Sequence, residues 1–227
     1  MPGETTDERA AWGVACHREP RWPASLAALA ALLLYLTLPA KLTIGPAWLI
    51  PAGEAALLLF LTLTSPDRER EEERVGRLLS IAVIVVINAA NVVSLVRLID
   101  ALVTGGAADG RSLIIYSVQI WMTNVIVFAL WYWELDRGGP GERTHHQHRE
   151  PDFLFPQMVT PEAAPSGWSP TFLDYLYVAF TNATAFSPTD TMPLTVMAKM
   201  LMAVQSLASL LTVAVVAARA VNILGGK

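Results

Sequence analysis

Long apolar blocks separated by polar segments form the dominant pattern of this chain. A membrane-spanning helix needs about 20 predominantly apolar residues, and fewer where flanking side chains reach the interface. Five blocks meet this requirement: residues 24–39, 46–64, 78–103, 112–133 and 194–224. Only a short turn separates the first two, so they are expected to form a helical hairpin.

A sixth apolar segment, residues 171–185, is too short to cross a membrane. It follows a polar loop rich in proline and glycine, residues 134–170, and Pro188 and Pro193 interrupt any helix after it. Apolar segments of this size are usually re-entrant, interfacial or buried. We predict a helix that dips into the membrane, followed by an irregular strand that returns. Such backbone must be buried in protein or line a water-filled cavity.

Composition agrees with an all-α membrane protein of five transmembrane helices plus one re-entrant helix between the last two. The chain is 53% hydrophobic and 16% charged, whereas soluble domains carry about 25% charged residues. Its net charge of -4 provides no basic field for nucleic acid. Cys16 is the only cysteine, so no internal disulfide forms.

Motifs typical of enzymes are missing from the sequence. It contains no glycine-rich phosphate loop, no nucleophile elbow and no paired zinc-ligand motif. We therefore expect a multi-pass protein of the plasma (inner) membrane that is not an enzyme. We expect no catalytic residues, no resident cofactor and no metal site, with the lipid bilayer as its surroundings.

Residues 181–195 carry the most specific pattern, TNATAFSPTDTMPLT. This string aligns without a gap with the pore string typical of potassium channels, TTATTVGYGDLYPVT. The aromatic stretch before it resembles a pore helix, residues 199–220 resemble an inner helix, and residues 112–133 take the place of an outer helix. The residues that match in kind and place are Thr181, Ala183, Thr184, Asp190, Pro193 and Thr195.

From about residue 112 to residue 224, the chain therefore resembles the voltage-gated-like ion channel superfamily. The whole layout also resembles a bacterial family of integral membrane proteins that is classified as a domain of unknown function. Members of that family share five hydrophobic segments and a DFLYFAFT…SD stretch before the last helix. This second resemblance bears on architecture and implies no activity.

The channel resemblance implies a homotetrameric cation channel or channel-like pore that passes monovalent cations. It divides the chain into a polar N-terminal segment (1–23), a three-helix peripheral region (24–110) and a pore-like module (111–227). We refer to residues 184–190 as the filter-like string. The residues that would line the constriction are Thr184, Ala185, Phe186, Ser187, Pro188, Thr189 and Asp190.

The filter-like string departs from potassium filters where their chemistry resides. Those filters replace the hydration shell of the ion with backbone carbonyls, and their two glycines adopt positive φ without steric cost. Here Ser187 and Thr189 occupy those positions, and Pro188 fixes its own φ. Potassium selectivity by the usual mechanism is therefore not expected. Rings of hydroxyls and of the Asp190 carboxylate would suit cations loosely.

A second function class is also open. A collapsed pore would make the protein a non-conducting membrane scaffold or a lipid-interacting protein on a degenerate channel fold. On the last helix, Gln205, Ser209 and Thr212 recur at helical spacing. In a channel they would face the inner cavity, whereas in a scaffold they would pack against neighbouring helices.

Polar residues also occur within the peripheral helices. Asn88, Asn91 and Arg97 belong to a spiral of polar positions three residues apart, which favours a polar face packed by hydrogen bonds. Glu54 is a carboxylate inside an apolar block, and Arg97 is its candidate ion-pair partner. A proton-coupled transporter that uses Glu54 is a third function class, which the lack of an inverted repeat disfavours.

The distribution of basic residues conflicts with the orientation that the resemblance implies. With five spans, segments 1–23, 65–77 and 134–170 lie on one side and carry most of the Lys and Arg residues outside the spans. The positive-inside rule places that side in the cytoplasm, whereas the pore loop of potassium channels faces outward. Three explanations stay open: an inverted topology, an error of one in the span count, or a misleading charge bias.

Overall fold

The computed structural model describes residues 19–45, 48, 70–104, 110–144, 150–160, 162, 164–165, 167–184 and 191–224. These residues are mostly helical. The helices are α1 (Trp22–Leu36), α2 (Arg70–Val103), α3 (Gly110–Leu135), α4 (Pro156–Val159), α5 (Phe172–Thr184) and α6 (Val196–Leu224). Short 3-10 turns at Asp136–Gly138 and Glu142–Thr144 follow α3, and the two short strands are β1 (Phe153–Leu154) and β2 (Met192–Pro193).

Three of the described helices are long and apolar enough to cross a membrane. Their candidate spans are Gly76–Val103 in α2, Arg111–Gly138 in α3 and the turn that follows it, and Val196–Arg219 in α6. The last three predicted blocks are thereby confirmed as long apolar helices. The first block is confirmed as a helix of 15 residues, and the second, residues 46–64, lies outside the described part of the chain apart from Trp48.

Boundaries of the helices follow local chemistry. A proline in its first turn starts α1, because that turn needs no backbone N–H donor from Pro23. α2 begins at Arg70, eight residues before the apolar block that starts at residue 78, because the charged residues 70–77 are also helical. The sixth apolar segment is confirmed as the helix α5, which ends at Thr184 just before the filter-like string.

α3 is the centre of the bundle and packs against α1, α2, α5 and α6. Large aliphatic and aromatic side chains on several of its faces are therefore buried, among them Val127, Phe128 and Tyr132. One apolar core joins α3 to α1, α2 and α5, and a second lies between α1, α2, α3 and α6 around Leu98 and Ile120.

A two-residue antiparallel ladder joins the chain before α5 to the chain before α6. Phe153 pairs with Pro193 and Leu154 with Met192, and the Leu194 N–H donates to the Asp152 carbonyl at 2.8 Å. The Thr195 hydroxyl accepts from the Ala198 N–H in the first turn of α6. The start of α6 is thus fixed beside the loop that leads to α5.

Contacts at the two ends of α2 identify which ends of the helices lie together. Near its C-terminal end, Ser94 donates to the Leu42 carbonyl at 2.9 Å and Arg97 donates to the Thr43 carbonyl. Near its N-terminal end, Arg77 lies 3.8 Å from Glu134 at the end of α3. The turn after α1 and the loop after α3 therefore lie at opposite ends of α2.

Candidate pore-helix site

One face of α5 is covered by α3 and α6. Its buried residues recur at helical spacing and are Phe172, Tyr175, Val178, Ala179 and Ala183. The opposite face exposes Leu173, Tyr177 and Phe180. Phe180 packs edge-on against Trp121 of α3, with ring centroids 6.0 Å apart. A helix of 13 residues is thereby held beside two helices of spanning length.

Gln205 is the hub that joins the second half of α5 to α6 and α3. It is fully buried, and its amide nitrogen donates to the Ala179 carbonyl of α5 at 2.8 Å. Its amide oxygen accepts from the Tyr132 hydroxyl at 2.5 Å and from the Asn182 amide nitrogen at 2.7 Å. One side chain therefore links three helices by hydrogen bonds in a region without exposure to solvent.

Further hydrogen bonds extend this hub towards the end of α5. The Asn182 amide nitrogen also donates to the Met202 carbonyl at 3.0 Å, and its oxygen accepts from the Ser206 hydroxyl at 3.0 Å. The Ser209 hydroxyl donates to the Ala183 carbonyl and accepts from the Trp121 indole N–H. The last turn of α5 is thus attached to α6 through both side chains and backbone.

Glu19 holds the first turn of α5 from outside that helix. One carboxylate oxygen accepts from the Phe172 N–H at 2.5 Å, and the other accepts from the Trp133 indole N–H at 2.8 Å. The second oxygen also lies 3.6 Å from the Arg143 guanidinium. The first N–H groups of a helix lack partners within that helix, and the Glu19 carboxylate accepts from one of them. Its negative charge also interacts favourably with the positive end of the helix dipole.

Asp136 organises the loop that follows α3. Its side chain accepts from the Asp152 N–H at 2.7 Å and from the Tyr175 hydroxyl at 2.5 Å. Asp152 in turn accepts from the Arg137 N–H at 3.1 Å and from the Thr195 hydroxyl at 2.6 Å. Two carboxylates therefore connect the end of α3, the β1–β2 ladder, α5 and the start of α6.

Two arginines supply positive charge beside these carboxylates: the buried Arg137 lies 3.7 Å from Asp136, and Arg143 lies 3.6 Å from Glu19. Arg143 is buried, donates to the Trp133 carbonyl at 2.8 Å, and its guanidinium lies over the Tyr175 ring, 5.3 Å from the centroid. Burial raises the pKa of the Tyr175 phenol well above its usual range, so Tyr175 is a neutral donor to Asp136. The loop 134–170, predicted only as polar, is therefore internally paired and packed at this end.

The residues predicted to form the site fall into three groups. Thr184 ends α5 half-buried, with its hydroxyl donating to the Thr181 carbonyl at 3.0 Å. Residues 185–190, and with them Ala185, Phe186, Ser187, Pro188, Thr189 and Asp190, lie outside the described residues. Gln205, Ser209 and Thr212 are all buried on α6, and the first two contact α5. Their assignment to an inner cavity stays a prediction.

The predicted polar residues of the peripheral region are not gathered into the same site. Asn91 is buried and Asn88 half-buried on α2. Arg97 is bound to the Thr43 carbonyl at the far end of α2. Glu54, its predicted partner, lies outside the part of the chain that the structure describes.

Several residues of the site were not predicted from the sequence. Asn182 lies within the string 181–195 but is not one of its matched positions, although a polar amide in an apolar helix is itself a signal. Tyr132 and Tyr175 lie in the segments that resemble an outer helix and a pore helix, and Asp136 lies in the segment predicted as a polar loop. Glu19 gave no signal, because its contacts depend on residues more than a hundred positions away.

Among the described residues, no group of three or more His, Cys, Asp or Glu side chains is arranged to hold a metal ion. The arrangement instead positions a short helix by hydrogen bonds at both of its ends, with an ion pair between Glu19 and Arg143 beside its first turn. Comparison with protein-family models, with curated proteins and with solved structures finds no match to this chain.

Proposed function

We propose that this chain is one subunit of a tetrameric cation channel or channel-like pore, with α5 as the pore helix and the filter-like string as the constriction. The observation that carries the proposal is the setting of α5. This helix is too short to span a membrane, yet it packs between two helices of spanning length and leads directly into the filter-like string. Outer, pore and inner helices have this order in the channels that the sequence resembles.

Five crossings account for the ends of the described helices. Ser94 and Arg77 contact opposite ends of the bundle, about 25 Å apart at 1.5 Å of rise per residue. Gly45 and Arg70 therefore belong to opposite ends of the bundle, and we infer that the connection between them returns across that distance. A second span at residues 46–64, as the apolar pattern predicts, accounts for this return.

Association of several copies would complete the pore. One subunit contributes a single filter-like string, and cyclic symmetry closes rings of identical subunits. α6 leaves large apolar side chains uncovered in the single chain, which lipid and neighbouring copies would cover. These exposed residues include Val196, Met197, Met200, Val204, Leu207, Leu210, Leu211 and Val213.

The chemistry of the filter-like string favours weak discrimination among monovalent cations. Threonine and serine hydroxyls and the Asp190 carboxylate supply oxygen ligands and negative charge. Without glycines at the two filter positions, a ladder of inward carbonyls is not expected. The protein would therefore pass cations in preference to anions, with little preference for potassium.

Cation flux from liposomes that hold the purified protein tests this proposal. Wild-type protein is compared with Asp190→Asn, and Glu150→Gln serves as the matched control because Glu150 is an exposed carboxylate of the preceding loop. We expect Asp190→Asn to reduce the flux or the preference for cations over anions, and the control to behave as wild type. Native mass spectrometry of the same samples should show a tetramer.

A non-conducting scaffold on the same fold is the second candidate. It is favoured by the use of Gln205 and Ser209, whose polar atoms bind α5 within one subunit instead of being free to face an ion pathway. Absence of flux from wild-type protein that is folded and tetrameric would support this candidate and contradict conduction.

A further inference from the structure

We infer that Gln205 and Asn182 are positioning residues that fix the end of α5, and hence the start of the filter-like string, to α6. This inference rests on the proposed function, because positioning matters for ion passage only if the string lies in a pore. It departs from the expectation that Gln205 lines an inner cavity. The term "α5–α6 latch" is used here for Asn182, Gln205, Ser206 and Ser209.

The direction of the hydrogen bonds supports a positioning role. Gln205 donates to a backbone carbonyl of α5, that of Ala179. Asn182 of α5 donates in the opposite direction, to the Met202 carbonyl of α6 and to the side-chain oxygen of Gln205. Each helix thus binds the backbone of the other. A sliding or rotation of α6 along α5 would break several bonds together.

Burial makes these bonds costly to lose. Gln205 and Ser209 are essentially without solvent exposure. A buried polar group that loses its partner costs more than the net gain from the bond, since no water replaces the partner. The latch therefore has a defined geometry and few alternatives of similar energy.

The position of the latch along α5 decides what it controls. Ser209 donates to the Ala183 carbonyl, and Thr184 is the last residue of α5. Carbonyls in the last turn of a helix have no backbone N–H partner within that helix. The Ser209 hydroxyl supplies this missing donor to the Ala183 carbonyl. The filter-like string begins in this turn with Thr184, so the contacts with α6 hold the residue from which the string starts.

Thr212 offers a matched control on the same helix. It is as deeply buried as Ser209, but its hydroxyl donates to Ala208 of its own helix. Thr212→Val removes a buried hydroxyl with little change in shape and leaves the latch intact. Gln205→Leu and Ser209→Ala remove different bonds of the latch, so one can be measured if the other fails to fold.

Hydrogen–deuterium exchange of the purified full-length protein is the first test. We expect Gln205→Leu to speed exchange of peptides covering residues 179–190 by roughly tenfold, and Ser209→Ala to act in the same direction. Peptides from α2 should keep the wild-type rate, and Thr212→Val should leave all of these peptides unchanged. Unchanged exchange at 179–190, or an equal rise in α2, would overturn the positioning role.

Flux through liposomes then separates this inference from the proposed function. If the protein conducts, Gln205→Leu should change the preference among monovalent cations. Ser117→Ala should not, because the buried Ser117 hydroxyl donates only to the Leu113 carbonyl of its own helix, α3. A preference unchanged in Gln205→Leu would overturn the link between the latch and the filter-like string. If no variant conducts and the local exchange effect is present, the channel proposal fails and the latch is retained as a feature of the fold.

Discussion

The Tyr175 hydroxyl donates a 2.5 Å hydrogen bond to Asp136, joining α5 to the residue that follows α3. Both side chains are completely buried. Asp136 uses its other oxygen to hold the Asp152 N–H at the edge of the β1–β2 ladder. Tyr175 and Asp136 thus connect α5 to the β1–β2 ladder, whose strands precede and follow α5 in the chain.

Tyr175→Phe should destabilise the protein by about 2 kcal/mol, because a buried carboxylate loses a charge-assisted donor. Thermal unfolding in detergent micelles, followed by circular dichroism, measures the change. Tyr177→Phe is the matched control, since Tyr177 is exposed on the opposite face of α5. Equal unfolding temperatures for wild type and Tyr175→Phe would contradict the importance of this bond.

The same substitution carries a prediction about pH. The pKa of Tyr175 is raised in the folded state, so folding favours the protonated phenol. Its contribution to stability is complete below the unfolded pKa of about 10 and falls as pH rises above that value. The stability advantage of wild type over Tyr175→Phe should therefore shrink as pH rises above about 10. An advantage that grows as pH rises above this value would contradict the direction of the shift.

Glu19→Ala should weaken the hold on the first turn of α5. The substitution leaves the Phe172 N–H and the Trp133 indole N–H without their acceptor, at an expected cost of about 2 kcal/mol. Glu19→Gln keeps an acceptor oxygen and should lose less. Thermal unfolding of both variants, with Glu150→Ala as the exposed control, gives the comparison. Identical losses for Ala and Gln would show that charge, and not the acceptor oxygen, is what matters.

Gly139 should not tolerate a side chain. Its φ is 103°, and a Cβ there would lie 2.9 Å from the Glu134 carbonyl oxygen. Gly45 also has a positive φ, 64°, but an added Cβ meets nothing within 4 Å. Gly45→Ala should cost about 1 kcal/mol from backbone strain alone, and Gly139→Ala clearly more. Equal unfolding temperatures for the two variants would contradict a close approach at Gly139.

Opposite ends of α2 should be reachable from opposite sides of the membrane. Leu78 and Val103 are exposed near the two ends of this helix. In a Cys16→Ser background, Leu78→Cys and Val103→Cys should react with a membrane-impermeant thiol reagent from different sides of oriented vesicles. Val92→Cys, exposed in the middle of α2, should stay unlabelled because lipid covers it. Labelling of both end positions from one side would exclude α2 as a span.

Hydrophobic patterning predicted the long helices well because positions on the surface of the bundle and in its core are both apolar, so α2, α3 and α6 are recognised by the length of their apolar blocks alone. It also predicted α5 from a shorter block of the same kind. The hydrophobic pattern did not predict which side chains join these helices to one another. Gln205 was identified from the sequence as a polar residue at helical spacing. Periodicity indicates on which face of the helix a side chain lies, but not which groups of the neighbouring helices it contacts. Asp136, Arg143 and Glu19 were hidden because polar loop residues are normally assumed to face water.

The ladder between β1 and β2 has a consequence for how this chain can vary. Pairing of Leu154 with Met192 closes a loop that contains α4, α5 and the filter-like string. Insertions or deletions within the string would be absorbed inside this closed loop, since lengthening a closed loop costs little entropy. The start of α6 would keep its register, because Asp152 and Thr195 hold it from outside the loop. Strings of other lengths should therefore be accepted by the same scaffold without a change in the start of α6.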